Sequence, residues 1–169
     1  MISISVVFWM YVILFAIIGG MRGWAKELLV TFSVILALTL TTLLQSYVPF
    51  IRDVVAKQGP TYFWLRTIIL LVLVFFGYQT PNIARFAPKM TREKFQDTLL
   101  GVILGALNGF LIIGSVWHYM DFAQYPFAII TKPASDLLIL KYLAPRILGV
   151  PAIYFAVVIA FIFVIVVFI

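Results

Sequence analysis

The sequence contains no cysteine and a single histidine, and only 11% of its 169 residues are charged. Without cysteine there is no disulfide, no thiolate nucleophile, no iron–sulfur cluster and no Cys-based zinc site. The shortage of charge excludes more. A soluble domain is roughly 45–50% apolar and about 25% charged, because it must solvate a surface as well as fill a core. Here 64% of the chain is apolar, so it reads as an integral membrane protein. Its apolar runs consume most of the length, and too little is left for an extramembrane catalytic domain of about 100–150 residues. No Walker loop, His-Glu-x-x-His or Gly-x-Ser-x-Gly pattern occurs. Hydrolytic and redox chemistry are therefore not expected, no cofactor is expected, and the protein is expected not to be an enzyme.

What charge there is carries a sign: twelve basic residues against six acidic ones give a net +6. All twelve lie at or between the apolar runs, where Lys and Arg fix topology and contact anionic headgroups. No basic groove with interleaved stacking aromatics is present, so nucleic acid is not an expected partner. Membrane lipids and other membrane-protein subunits are.

Uncharged runs occupy Met1–Met21, Leu28–Ile51, Thr67–Ala84, Thr98–Met120 and Ile147–Ile169. A helix needs roughly 20 residues to cross a hydrocarbon core of about 30 Å, and all five approach that. The third is extended by Thr61–Leu65 ahead of Arg66, whose long side chain can reach headgroups. The expected fold is an all-α integral membrane protein with about five transmembrane helices and one short interfacial helix. Its parts are a four-helix membrane domain over residues 1–120, an interfacial connection over 121–146 and a fifth helix over 147–169. The connection stays apolar, is broken by Pro126 and Pro133, and reads as a short helix over Ala134–Leu143. Trp24, Trp64, Trp117, Tyr47, Tyr62 and Tyr119 sit near span ends, as an interfacial aromatic belt would.

The first run lacks a basic n-region and a cleavage pattern, so it is expected to stay as a signal anchor. With no basic residue before it and Arg22 and Lys26 just after, the N-terminus is expected outside. The loop with Arg85, Lys89, Arg92 and Lys94 is then cytoplasmic. Arg85, Lys89 and Arg92 have helical spacing and are candidates for binding lipid headgroups.

The sharpest local pattern is Gly101-x3-Gly105-x3-Gly109. Glycines every fourth residue clear one stripe of a helix so that another backbone can approach. The stripe is expected to pack either within the chain or against a partner. Asn108 lies beside it at mid-membrane, where an unpaired amide is costly, so it must find a partner. Glu27, in a first helical turn, is favoured by the helix dipole and can pair with Arg22 or Lys26. The other carboxylates, like Glu27, are read as lying at span ends or in loops. His118 is expected at the interface beside Asp121; a single axial bond to a haem or chlorophyll-type metal is the alternative.

The stretch Gly20-Met-Arg22-Gly23-Trp-Ala-Lys-Glu27-Leu, followed some seventy residues later by Asp97-x2-Leu100-Gly101-x3-Gly105-Ala106-x2-Gly109, resembles the colicin V production protein (CvpA) family of bacteria over roughly the first 120 residues. In that family an Arg-Gly-x3-Glu group follows the first span, and an Asp-x2-Leu-Gly-x3-Gly-Ala-x2-Gly group opens the fourth. Arg22, Gly23, Glu27, Asp97, Gly101, Gly105 and Gly109 stand at the signature positions. The chain departs from the pattern at Asn108, where members commonly carry Arg, and in its fifth helix. The resemblance implies a multi-pass inner (plasma) membrane protein that supports colicin V production or export and envelope maintenance, with no established catalytic activity. A competing reading is an accessory or assembly subunit of a respiratory or photosynthetic (reaction-centre or light-harvesting) complex, suggested by the uniformly apolar Pro151–Ile169. A third, a small transporter or channel, would need a polar path begun by Asn108, Gln79 or Thr39–Thr42.

Overall fold

A computed structural model describes residues 3–56, 59–79, 94–127 and 137–168, and every regular element among them is a helix. In chain order these are α1 (Ile4–Arg22), α2 (Trp24–Tyr47), α3 (Pro49–Ala56), α4 (Pro60–Tyr78), α5 (Lys94–Phe122), α6 (Leu137–Lys141), α7 (Ala144–Ile147) and α8 (Ala152–Phe168). α1, α2, α4 and α5 are each long and apolar enough to cross a membrane, and α8 is a shorter apolar helix of 17 residues. At 1.5 Å per residue α8 spans about 25 Å, the lower limit for a crossing. The protein is a multi-pass, all-α membrane protein.

α2 and α5 form the centre. α5 packs on α1, α2, α4 and α7, while α2 packs on α4, α5 and α8. Val30 and Val34 of α2, Leu70 of α4, Ile112 of α5 and Phe8 of α1 close the interior between them. The outward residues are as apolar as the inward ones: Ile13, Ile17, Ile68, Phe75, Phe76 and Ile103 are all exposed. In water such a surface would aggregate, whereas in lipid it is the solvated face. Burial in this bundle is therefore driven by close packing and hydrogen bonding rather than by water exclusion.

The boundaries differ from the apolar runs in several places: α2 and α5 begin four residues earlier, at Trp24 and Lys94, and Ile147–Ile169 is divided between α7 and α8. The run Leu28–Ile51 is not one helix. Val48 adopts an extended conformation (φ −106°, ψ 104°) and Pro49 opens α3, because a residue before proline is pushed out of the helical region. α4 begins at Pro60, one residue ahead of the expected extension from Thr61, since proline suits the first turn of a helix. It ends at Tyr78; residues 80–93, which include the basic residues Arg85, Lys89 and Arg92, lie outside the described residues. Of the short helix expected over Ala134–Leu143, the described portion is α6.

Only two of the six belt aromatics are exposed. Trp64 and Tyr47 face outward, but Tyr62, Trp117 and Tyr119 are buried. Trp117 packs against Phe8 at 5.5 Å between ring centroids and donates its Nε1–H to the Tyr125 hydroxyl at 3.3 Å. Tyr62 stacks on Phe122 at 4.6 Å. These rings join α1, α4 and α5 at one end of the bundle instead of marking the lipid interface.

Candidate functional site

α1 and α5 touch backbone to backbone. A Cβ on Gly105 would collide with the Phe15 carbonyl oxygen and lie 2.9 Å from Gly19 Cα; one on Gly109 would lie 2.8 Å from Phe15 Cβ and 3.1 Å from Val12 Cα. Gly101 meets the Gly19 carbonyl oxygen equally closely. The stripe on α5 thus seats the Phe15–Gly19 stretch of α1, and no side chain larger than hydrogen fits between them.

This seam fixes where α1 ends. Gly23, between α1 and α2, has φ +84°, a conformation that side-chain-bearing residues rarely adopt, and a Cβ there would lie 2.8 Å from both Asp97 carboxylate oxygens. The turn delivers Trp24, the first residue of α2, so that its backbone N–H donates to Asp97 Oδ1 at 3.0 Å. Gly23 offers α2 no side-chain cap of its own. A carboxylate from α5 caps it instead, satisfying an orphan donor and placing negative charge at the positive end of the helix dipole.

One turn further on, Glu27 is fully buried, at 0% exposure. A span-end position suggests an exposed carboxylate, and Glu27 is not one. Its position in the first turn of α2 is as expected, but Arg22 of α1 and Asn108 of α5 close over it, and burial of a carboxylate demands partners. Of its two possible basic partners it takes Arg22: Arg22 Nη1 donates to Oε1 at 2.7 Å. Arg22 Nη2 donates to the Tyr78 carbonyl oxygen at 3.1 Å, and the guanidinium lies 4.3 Å from the Tyr78 ring centroid. On the other side, Asn108 Nδ2 donates to Glu27 Oε2 at 2.8 Å and to the Glu27 backbone oxygen at 2.9 Å. Both amide hydrogens are thereby engaged. Asn108 Oδ1 accepts from Thr31 Oγ1 at 2.7 Å.

Arg22, Glu27, Thr31, Tyr78 and Asn108 thus form one closed network on α1, α2, α4 and α5, with Asp97 and Gly23 just beyond it. Every polar atom of Glu27 and Asn108 side chains has a protein partner, so the arrangement reads as a clasp. A general acid or base would need a proton-accepting or proton-donating atom turned toward a substrate, and the Glu27 oxygens are turned to Arg22 and Asn108. Thr31 and Tyr78 were not singled out from sequence. Thr31 is signalled by its place four residues after Glu27 on the same helical face; Tyr78 contributes a backbone carbonyl and a ring face, which no motif marks.

Other candidates fall elsewhere. The hydroxyls of Thr39, Thr41 and Thr42 bond to the carbonyls of Ile35, Ala37 and Leu38 in their own helix at 2.8, 2.6 and 2.9 Å. They extend no polar path from Asn108. His118 lies beside Tyr119, 6.2 Å between ring centroids, and its Nδ1 makes no hydrogen bond. Among the described residues no group of His, Asp and Glu is arranged to hold a metal ion. A cavity of about 280 Å³ between α2 and α8 is lined by Leu28, Thr31, Phe32 and Ile35 on one side and Ala156, Ile159, Ala160, Phe163 and Val164 on the other.

No curated protein and no solved structure matches the chain. A family description does. The pattern for the colicin V production protein covers residues 4–131, from the first residue of α1 past the end of α5, and includes every member of the clasp and of the glycine seam. The match spans well over half of the chain, which therefore belongs to the colicin V production protein family.

Proposed function

We propose that the protein is a non-enzymatic component of the bacterial inner membrane that supports colicin V-type toxin production or export and envelope maintenance by binding other membrane components. The observation that carries this reading is the use made of the residues at the family's signature positions. Arg22, Glu27 and Asn108 satisfy one another, Asp97 caps α2, and Gly101, Gly105 and Gly109 seat α1. Among the described residues each is engaged in holding helices together. The means of binding are the apolar outer faces, above all α8, whose Phe155, Val158, Ile159, Ile162 and Val166 are exposed. Among the described residues α8 rests mainly on α2, with Phe161 edge-on to Phe32 at 4.9 Å.

The test is deletion of Pro151–Ile169 in the producing cell. Loss of co-purifying membrane proteins, with residues 1–150 still inserted, is the expected result. Unchanged co-purification would remove α8 from the account. The accessory-subunit reading shares this surface and differs in the partner, so identification of the co-purifying proteins decides between the two.

A further inference from the structure

The row of α5 that carries the glycine seam continues beyond Gly109. At the same four-residue spacing it next holds Ile113 and Trp117, so the backbone contact with α1 gives way to a layer of side chains, with Phe8 of α1 against Trp117 at 5.5 Å between ring centroids. α4 diverges from α1 in the same direction. The two meet at the clasp end, where Phe15 lies 6.2 Å from the Tyr78 ring and Arg22 donates to the Tyr78 carbonyl oxygen. Toward the other end a cavity of about 550 Å³ lies between α1, α4 and α5.

Its walls are largely aromatic rings. Phe8 and Tyr11 come from α1, Phe63 and Trp64 from α4, Trp117 from α5, and Phe127 follows α5. Phe63 is edge-on to Trp64 at 5.4 Å and to Phe127 at 5.3 Å. Rings locked edge to face have no flexible ends to fold inward and close the space. No charged side chain lines it, and water inside would find too few polar partners to stay. Left empty, the cavity forfeits dispersion contacts along every wall.

Depth decides what fills it. Ile4 and Tyr11, at its two ends on α1, are about 10 Å apart along the helix axis, and one leaflet's share of the hydrocarbon is about 15 Å. The half-exposed Trp64 marks the headgroup level at the outer end. The cavity therefore lies within one leaflet, where its neighbours are hydrocarbon tails. A further helix does not fit: at about 10 Å across it would fill roughly 800 Å³ over that length, against about 550 Å³ here.

We propose that this cavity is a lipid-tail site, in which a hydrocarbon chain of a membrane lipid enters between α1 and α4 and bridges the two helices where they part. Recognition is by the apolar surface of the tail and is blind to the headgroup. The site rests on the packing of α1, α4 and α5 and is independent of the proposed function.

The chain has four tryptophans. Trp9→Phe, Trp24→Phe and Trp64→Phe together leave Trp117, which is only 3% exposed and reports the cavity wall. The full-length variant is reconstituted in vesicles of phosphatidylcholine whose tails carry bromine, which quenches tryptophan on contact. The expected result is loss of most of the Trp117 emission relative to unbrominated vesicles, and the same loss when phosphatidylglycerol carries the brominated tail. Filling the cavity with Val116→Phe or Val7→Phe should restore the emission; the two act from different walls, so one remains if the other does not fold. Unquenched Trp117, quenching that depends on the headgroup, or quenching unchanged in a folded filling variant would overturn the proposal. A dimer in native mass spectra that a filling variant dissolves would place a second copy at this face and overturn the lipid as its occupant.

Discussion

Glu27 is the residue on which the reading of this protein turns. A buried carboxylate in a membrane domain usually suggests ion or proton traffic, yet here Arg22, Asn108 and the backbone turn of α2 enclose it. The clasp makes a specific demand on mutants. Glu27→Ala leaves Arg22 facing a low-dielectric interior without its counter-ion, at a cost of about 3–5 kcal/mol, whereas Glu27→Gln keeps a hydrogen-bonding shape and should cost less. Unfolding in detergent should rank the wild type, the Gln variant and the Ala variant in that order, and an Ala variant as stable as wild type would show that the pair contributes nothing. Gly23→Ala is expected to cost roughly 1–3 kcal/mol from backbone conformation alone, besides crowding Asp97; the same melt measures it. Sequence reading could state that a mid-membrane amide needs a partner, because an unpaired one is costly wherever it sits. It could not name Glu27, since the two lie 81 positions apart and only the packing of α2 on α5 brings them together. Nor could it see Glu27 as buried, because proximity to a span end says nothing about what other helices cover it.

Among the elements, α5 organises the molecule, and its glycines decide how closely α1 can lie. Gly105→Leu would force α1 away from α5 against the Phe15 carbonyl and Gly19, and overpacking of this kind costs about 1–3 kcal/mol or more. Gly114→Ala is a control, since its Cβ would meet side-chain atoms and no backbone: Leu143 Cδ2 at 3.2 Å and Phe8 Cε2 at 3.6 Å. Loss of folded protein in the first variant and near-normal yield in the second is the expected pair of outcomes; equal behaviour would mean that the seam tolerates bulk. Four of the five expected spans are long apolar helices and the fifth is the shorter α8; the four were legible because the hydrocarbon core imposes a length that hydropathy reveals directly. Their ends were less so. Hydropathy runs straight through Val48-Pro49, where backbone geometry breaks the helix.

For the whole molecule, the charge pattern predicts an N-terminus outside and the Arg85–Lys94 loop in the cytoplasm. The chain has no cysteine, so Met90→Cys gives a unique label. Its protection from impermeant thiol reagents in intact cells is the expected result, and labelling from outside would invert the topology. The central claim is that the residues at the signature positions act by holding the bundle together and not by chemistry. It is tested most directly by measuring, across one set of variants (Arg22→Gln, Glu27→Gln, Glu27→Ala, Asp97→Asn and Gly105→Leu), both the amount of folded protein in the membrane and the colicin V released by the same cells. The account predicts that release falls in proportion to folded protein and is restored when a variant's expression is raised to the wild-type folded level. A Glu27→Gln or Asp97→Asn protein that is folded, inserted and abundant, yet supports no release, would contradict it.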